Sequence, residues 1–286
     1  QKTAYEIYQC DWSSDVCSSD LLLRCPSADR HSAMTHPIIP GAEPWSHVAT
    51  DGAPGALCIH GFTGNPGSMR GVAEAFAAAG FHVELPMLPG HGTHMDDMLP
   101  TGWPDWTAAA EAAFQRLASR TSRIVVSGLS MGGSLTLWIS SQHPEVRGLV
   151  CVNPATQRQP DEIVEMLEDF LQQGVEVMPG IGSDIADPEV KETAYEGAPV
   201  RPLLSLIDGL GEIAAKYPSM KTPLLLLTSP QDHVVPLEQF DFLASTYGGP
   251  VERVQLERSY HVATMDYDKE LIFSKAVEFG RAVTSA

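Results

Sequence analysis

A serine flanked by glycines is the first feature of the sequence that could carry chemistry. Residues 128–132 read Gly-Leu-Ser-Met-Gly, directly after the apolar run 123–127. A G-x-S-x-G motif between a strand and a helix places its serine on a sharp turn, with the hydroxyl exposed at the carboxyl end of the strand. Gly128 and Gly132 suit this turn because they carry no side chain that would clash. Ser130 is therefore predicted to be a catalytic nucleophile.

A serine hydroxyl needs a general base, and the base needs a carboxylate that orients it. His261 lies in Ser-Tyr-His-Val-Ala, after the last predicted strand, and Asp232 follows the Leu-Leu-Leu-Leu-Thr strand at 224–228. The chain order serine, aspartate, histidine fits a nucleophile on this kind of turn. We predict a catalytic triad of Ser130, Asp232 and His261. His233 is the alternative base, although its position next to Asp232 directs its side chain elsewhere.

The tetrahedral intermediate of acyl transfer needs two N–H donors, an oxyanion hole. The backbone N–H of Met131, directly after the nucleophile, is one predicted donor. The other is the N–H of Phe62 in the His-Gly-Phe-Thr-Gly loop at 60–64, and the Phe62 ring is expected to line the pocket. His60 is predicted to order this loop rather than to take part in the reaction.

Two further histidines raise the question of a metal. His91 and His94 lie in Gly-His-Gly-Thr-His, and Asp96 and Asp97 are the carboxylates that follow them. A metal pair is one interpretation, and a role in ordering the loop is the favoured one. The sequence therefore predicts no metal site and no cofactor.

The elements that position these residues alternate along the chain. Strands are predicted at 56–60, 81–85, 123–127, 148–152, 224–228 and 251–256, and helices at 66–79, 103–119, 131–142, 237–246 and 269–283. The strands are continuous apolar runs, which is typical of a parallel sheet covered on both faces. The predicted fold class is α/β, with a mostly parallel central sheet and helices on both sides.

Residues 154–221 interrupt this alternation, and no clear strand is predicted there. Two amphipathic helices are expected, with apolar positions at helical spacing. These positions are Ile163, Met166, Leu167, Phe170 and Leu171 in the first helix, and Leu203, Leu206, Ile207, Leu210 and Ile213 in the second. We predict a small helical cap at 154–221, inserted after the strand that ends near Val152. Residues 34–153 and 222–286 form the predicted core. Most of these apolar side chains should pack on that core, and some of them could cover an acyl pocket.

Composition limits the partners. The chain has 286 residues, 43% of them hydrophobic and 19% charged, which is globular composition. Its 36 acidic and 18 basic residues give a formal charge of -18, which disfavours nucleic acid and anionic lipid. Stable membrane insertion is not expected because no apolar run approaches the ~20 residues of a membrane span. Cys58 and Cys151 lie in apolar strands as ordinary core residues, and a reducing cytoplasm is the expected location.

The first residues are not expected to belong to the native protein. Residues 1–21 match the translation of a short-read sequencing adapter, with Tyr8, Gln9 and Cys10 spanning its variable index. Like an expression tag, this segment is not expected to contribute to the fold. The whole of 1–33 is expected to be an artefact or a disordered leader. The natural start is expected at Met34, and residues 22–33 are either native upstream sequence or read-through.

Several motifs together resemble one family. HGFTG (60–64), LPGHGTH (88–94), GLSMGG (128–133), DHVVP (232–236) and SYHVATMDYD (259–268) are similar to the bacterial monoacylglycerol lipase and carboxylesterase family of α/β-hydrolases. The segments that begin at Ile181 (IGSD) and Val190 (VKETAYE) are similar to its cap. The resemblance covers residues 37–284. It implies the same triad, with Phe62 and Met131 as the oxyanion hole. Residues 154–180 depart from the family pattern.

The resemblance implies cleavage of monoacylglycerols or similar small carboxylic esters through an acyl-enzyme, without a cofactor. The departures at 154–180 leave the acyl chain length and the alcohol open. A general carboxylesterase, a thioesterase and an acyltransferase remain alternatives because the same triad serves them all. A ligand receptor on the same fold is a further alternative. Transient contact with a lipid surface is compatible with an apolar cap, and the sequence says little about the oligomeric state.

Overall fold

The computed structural model describes residues 35–180 and 182–285. The expectations about the leader at 1–33 and its adapter-like part at 1–21 lie outside the described residues. So do those about the start at Met34 and about Ile181.

Nine strands form in the described residues. They are β1 (Trp45–His47), β2 (Gly55–Ile59), β3 (His82–Leu85), β4 (Ile124–Leu129), β5 (Gly148–Val152), β6 (Val177–Pro179), β7 (Gly197–Pro199), β8 (Leu224–Thr228) and β9 (Val251–Gln255). Seven of them build the central sheet in the order β1-β3-β2-β4-β5-β8-β9. All neighbours pair in parallel except β1 with β3. The predicted mostly parallel α/β fold is confirmed.

Eight α-helices accompany the strands in the same described ranges. They are α1 (Arg70–Ala78), α2 (Met95–Met98), α3 (Trp103–Ala118), α4 (Met131–Gln142), α5 (Asp161–Gln172), α6 (Val200–Ala214), α7 (Leu237–Thr246) and α8 (Lys269–Thr284). None of these helices has the length and apolar character needed to cross a lipid bilayer.

The core lies on both faces of the sheet, which explains the continuous apolar strands. In β5, Leu149 and Cys151 pack in one layer with residues of α3, α4, α6 and α7. The alternate residues Val150 and Val152 pack in the other layer with α1 and α8. Because successive side chains of a strand point to opposite faces, a sheet covered on both sides needs apolar residues at every position.

The structure corrects several element predictions. The helix predicted at 66–79 is a 3-10 turn, Pro66–Met69, followed by α1, because Pro66 and the cap made by Asn65 fix a tighter first turn. The strands β1 and β6 were not predicted because each has three residues and no clear apolar pattern. The prediction of continuous apolar strands was wrong for β9, whose sequence Val-Glu-Arg-Val-Gln lies at the sheet edge with its three polar residues exposed.

The segment at 154–221, which we call the cap segment, contains both predicted helices, α5 and α6. They pack on each other through Val164 and Leu167 of α5 and Val200 and Ile207 of α6. The prediction of no clear strand was wrong, because β6 and β7 pair as an antiparallel ribbon between the helices. Most of the predicted apolar side chains of α6 pack in the main core. Those of α5 are only partly buried, and Ile163 and Met166 are exposed.

Candidate active site

Ser130 occupies a sharp turn between β4 and α4. Its backbone has φ 56° and ψ -121°, and residues other than glycine rarely adopt a positive φ. A Cβ on Gly128 would collide with the backbone of Gly132, and a Cβ on Gly132 would collide with the backbone of Ile59. The strand, the helix and the neighbouring strand β2 therefore meet at backbone contact, and both glycines are sterically required.

Asp232 and His261 meet beyond the ends of β8 and β9. The His261 Nδ1 atom lies 2.7 Å from Asp232 Oδ2, and the Asp232 side chain is fully buried. The other carboxylate oxygen accepts the backbone N–H groups of Val234 and Val235, each at 2.8 Å. An ionised carboxylate only accepts hydrogen bonds, so Nδ1 carries the proton and Nε2 is left as the basic nitrogen.

The loop that carries His261 is held by two residues that sequence reasoning missed. Asp184 Oδ2 accepts the backbone N–H of His261 at 3.1 Å, and the Asp184 carbonyl accepts that of Val262 at 3.0 Å. Asn153 donates to the carbonyl of His261 at 2.8 Å and to the Ser229 hydroxyl at 3.0 Å. Their sequence signals are weak: Asn153 directly follows β5, and Asp184 lies in a Gly/Pro/Asp-rich stretch.

Asp184 also settles the position of His233, the alternative base. His233 Nδ1 lies 2.8 Å from Asp184 Oδ1, and its side chain is more than half exposed, at 57%. The structure thus pairs His233 with Asp184, and it pairs His261 with Asp232.

The two predicted oxyanion donors have free N–H groups. In the described ranges, the backbone N–H groups of Phe62 and Met131 donate to no other residue, and the Ser130 hydroxyl has no hydrogen-bond partner. A Cβ on Gly61 would lie 3.3 Å from Ser130 Cβ, so the loop that carries Phe62 closely approaches the serine. The Phe62 ring packs edge-on against Trp106.

His60 and His91 are buried beneath this loop. The backbone N–H of Leu88 donates to His60 Nε2 at 3.1 Å, so His60 Nδ1 carries the proton and donates to the Gly61 carbonyl at 2.9 Å. His60 therefore joins two loops, the structural role predicted for it. Burial lowers the pKa of His60 to about 3 and that of His91 to about 4. Both rings are neutral at pH 7.

The structure separates the two histidines of the 88–94 loop. The His91 ring packs edge-on against His60, with centroids 5.0 Å apart, whereas His94 is exposed and stacks on His36. Asp96 lies beside His94, and Asp97 is buried against Thr35 and His36. His91 and His94 therefore do not form the metal pair considered from the sequence.

The cap segment reaches this site through residues 192–195. The backbone N–H of Tyr195 donates to the Thr63 carbonyl at 3.1 Å, and the Asn65 side chain donates to the Thr193 carbonyl. A Cβ on Gly64 would lie 2.8 Å from Glu192 Oε1. Burial raises the pKa of Glu192, against the opposing effects of the His261 charge and a hydrogen bond from Ser68.

Ser130 does not line either of two cavities found in the described part of the chain. One, of about 660 Å³, lies at the amino ends of β5 and β8, between residues such as Arg147 and Thr222. Ligands of open α/β sheets bind at the carboxyl ends of the strands, so we do not assign the substrate to this cavity. The other, of about 400 Å³, lies within the cap segment and is lined by Glu192 and Tyr195 among others.

Comparison with known proteins identifies relatives of the chain. A family model describing the alpha/beta hydrolase fold matches residues 57–190. The chain is 41% identical over 248 residues to a thermostable monoacylglycerol lipase of Bacillus sp. (strain H-257), covering 85% of this chain and 96% of that protein. It is 23% identical over 225 residues to a carboxylesterase of Bacillus subtilis (strain 168), covering 78% and 90%.

A solved structure from work on LipS and LipT, two metagenome-derived lipolytic enzymes, superposes with a TM-score of 0.81 at 40% identity. It covers 86% of this chain and 100% of its own. The structure of a monoacylglycerol lipase of Paleococcus ferrophilus superposes with a TM-score of 0.68 at 18% identity, covering 85% and 100%, and this likeness supports the fold.

Because His60 and His91 are buried and neutral, we expect the protein to lose stability in acid. Both have folded-state pKa values below the ordinary value of 6.5, so unfolding below pH 6.5 takes up protons. The contribution of each histidine to the free energy of unfolding is fully present above pH 6.5. It falls toward pH 4 by about 1.4 kcal/mol per pH unit. Urea unfolding at pH 7, 6 and 5 measures this slope.

His91→Gln provides the matched comparison. This variant should be less stable at pH 7, yet it should lose less stability than the wild type between pH 7 and 5. His47→Gln, at a partly exposed position, should keep the wild-type slope. Equal slopes for the wild type and His91→Gln would show that His91 is not the group that takes up the proton.

Proposed function

The chain belongs to the monoacylglycerol lipase family of α/β-hydrolases, and we propose that it cleaves monoacylglycerols through an acyl-enzyme on Ser130. It is a carboxylic ester hydrolase. The observation that carries the catalytic assignment is the buried Asp232–His261 pair at 2.7 Å, with Ser130 on a glycine-flanked turn. A 41% identical relative is a monoacylglycerol lipase, which supports this choice of substrate.

The proposed reaction is acyl transfer in two steps. In the first, His261 Nε2 takes the Ser130 proton as Oγ attacks the ester carbonyl, and Asp232 stabilises the imidazolium. The N–H groups of Phe62 and Met131 bind the oxyanion. His261 then protonates the departing glycerol oxygen, and the acyl group stays on Ser130. In the second step, water repeats the sequence and releases the fatty acid.

Glu192 supports glycerol as the alcohol. Its carboxylate lies against Gly64, next to the oxyanion loop and within the electrostatic influence of His261. A carboxylate accepts hydrogen bonds from hydroxyl groups, and glycerol leaves with two hydroxyls besides the one that was esterified. We propose that Glu192 binds these hydroxyls in the alcohol part of the site.

The alternative functions differ in the leaving group or in the acceptor of the acyl group. A general carboxylesterase would accept simple alkyl and aryl esters with no need for a polar alcohol, and a thioesterase or an acyltransferase would differ in leaving group or acceptor. A receptor on this fold would bind its ligand with little or no turnover. Hydrolysis of a substrate series separates the general carboxylesterase and the receptor from a monoacylglycerol lipase.

We also propose that the enzyme is cytoplasmic and contacts lipid surfaces transiently to reach its substrate. Buried free thiols at Cys58 and Cys151 support a reducing compartment. Large apolar side chains are exposed on the cap segment at Ile163, Met166 and Val177. Cell fractionation should find the protein in the cytoplasmic fraction, and neutral monoacylglycerol emulsions should retain it only weakly. Recovery with integral membrane proteins would contradict the proposal.

The first test is hydrolysis of a monoacylglycerol series from short to long acyl chains. The wild type should release glycerol over many turnovers with one preferred chain length, and Ser130→Ala should lose at least about a thousandfold in kcat, because removing the nucleophile abolishes the acyl-enzyme route. Turnover of p-nitrophenyl esters without monoacylglycerols would identify a general carboxylesterase. Absence of any turnover in the wild type would favour a receptor.

The role of Glu192 has its own test. Glu192→Gln keeps the size of the side chain but removes the charge that strengthens its hydrogen bonds. We expect kcat/KM to fall about tenfold or more for a monoacylglycerol, since a hydrogen bond to a charged group contributes about 1.5–3 kcal/mol. The p-nitrophenyl ester of the same fatty acid should be little affected because it has no glycerol.

Glu196→Gln is the matched control for Glu192→Gln. Glu196 is an exposed carboxylate on the same segment, and its substitution should leave both substrates unaffected. Equal losses on both substrates in Glu192→Gln would show that Glu192 supports the fold of the site rather than the binding of the alcohol.

A further inference from the structure

Three side chains on the surface form a cluster that the proposed reaction does not use. His36, His94 and Asp96 each offer a ligand atom, and these atoms lie within 4.8 Å of one another. The rings of His36 and His94 stack with centroids 4.5 Å apart and planes inclined by 28°. Two imidazoles and a carboxylate at this separation are a typical set of zinc ligands.

The His36 ring is oriented by a buried carboxylate. His36 Nδ1 lies 3.1 Å from Asp97 Oδ1, and the Asp97 side chain is only 4% exposed. Asp97 also accepts the backbone N–H of Thr35 at 3.1 Å and the Thr35 hydroxyl. Because the carboxylate accepts the Nδ1 proton, the lone pair of His36 remains on Nε2. Histidine ligands of metals are commonly held in this way by a carboxylate on the other ring nitrogen.

His94 and Asp96 lie close enough to act together. His94 Nδ1 is 3.2 Å from the backbone N of Asp96 and 3.3 Å from Asp96 Oδ2. The side chains of His94 and Asp96 are 53% and 65% exposed, so an ion from solvent reaches them directly. The chain has a formal charge of -18, which favours the approach of cations.

We propose that His36, His94 and Asp96 bind a zinc ion, with Asp97 as a positioning residue behind His36. Three protein ligands leave one place for water in a tetrahedral site. Nickel and copper share the preference for imidazole and are the competing ions. Sequence analysis did not consider His36 because it is distant from His94 along the chain, and only the fold brings the two rings together.

The ion would fasten two parts of the fold to each other. His36 precedes β1, and His94 ends the 88–94 loop. Tyr195 of the cap segment binds the same loop by donating to the Gly90 carbonyl and accepting the N–H of Thr93, at 2.9 and 3.0 Å. Zinc bound there stabilises the folded state, because it links segments that separate on unfolding. This effect on stability does not depend on the proposed substrate.

Isothermal titration calorimetry of the full chain with zinc chloride at pH 7.5 tests the proposal, with protein purified without a polyhistidine tag. We expect one saturable site and a melting temperature that rises with zinc concentration. His36→Ala and His94→Ala should each weaken binding at least tenfold. Asp97→Asn should weaken it by about 10-fold to 100-fold through loss of orientation. His47→Ala, which removes a histidine outside the cluster, should bind zinc as the wild type does.

Asp96→Asn keeps the test decisive if an alanine variant folds poorly, because it changes an exposed side chain conservatively and circular dichroism can verify its fold. It should weaken zinc binding at least tenfold with an unchanged apo melting temperature. Ester hydrolysis without zinc should match the wild type in His94→Ala. The proposal is overturned if the wild type shows no saturable zinc binding, or if His94→Ala and Asp96→Asn bind zinc with wild-type affinity.

Discussion

The conformation of Ser130 is the constraint on which the rest of the site depends. A non-glycine residue at φ 56° and ψ -121° costs about 1–3 kcal/mol, and it persists only when its surroundings hold it firmly. Here the Ser130 N–H donates to the Val152 carbonyl at 3.0 Å, and the Ser130 carbonyl accepts the N–H of Gly133 at 2.8 Å. The glycines at 128 and 132 let the backbones close around it. The direction of the hydroxyl follows from this packing, because β4 and α4 are both fixed by the sheet.

The second requirement is that two loops bring an acid and a base to the same place. Asp232 and His261 are 29 positions apart, and each loop is held by buried polar partners. Asn153 joins the ends of β5 and β8 to the His261 loop, and Asp184 joins the cap segment to that loop. A buried polar group left without a partner costs about 1–3 kcal/mol, so each of these partners penalises displacement of its loop. The geometry of the pair is thus set by hydrogen bonds well outside it.

Sequence reasoning succeeded where the signal is local. Apolar runs marked the buried strands β2, β4, β5 and β8, and the structure places Ser130 directly after β4 and Asp232 just beyond β8, as the sequence predicted. It failed where the information lies in distant contacts. Asn153 and Asp184 are single polar residues whose partners are chosen by the fold. The short strands β6 and β7 pair across about 20 residues, a contact that no local pattern encodes.

Two parts of the cap segment, residues 192–195 and helix α5, differ in how closely they are bonded to the site. Residues 192–195 are tied to the loops of the site, since Tyr195 binds Thr63, Gly90 and Thr93, and Glu192 lies against Gly64. A shift of this part would move the loop that carries Phe62, so the proposed alcohol site and the proposed oxyanion hole are joined through the same loop. Helix α5, by contrast, packs on α6 through Val164 and Leu167. Residues 154–180, which contain α5, are also where the sequence departs from the family pattern. Helix α5 can therefore vary without breaking the hydrogen bonds that join residues 192–195 to the loops of the site.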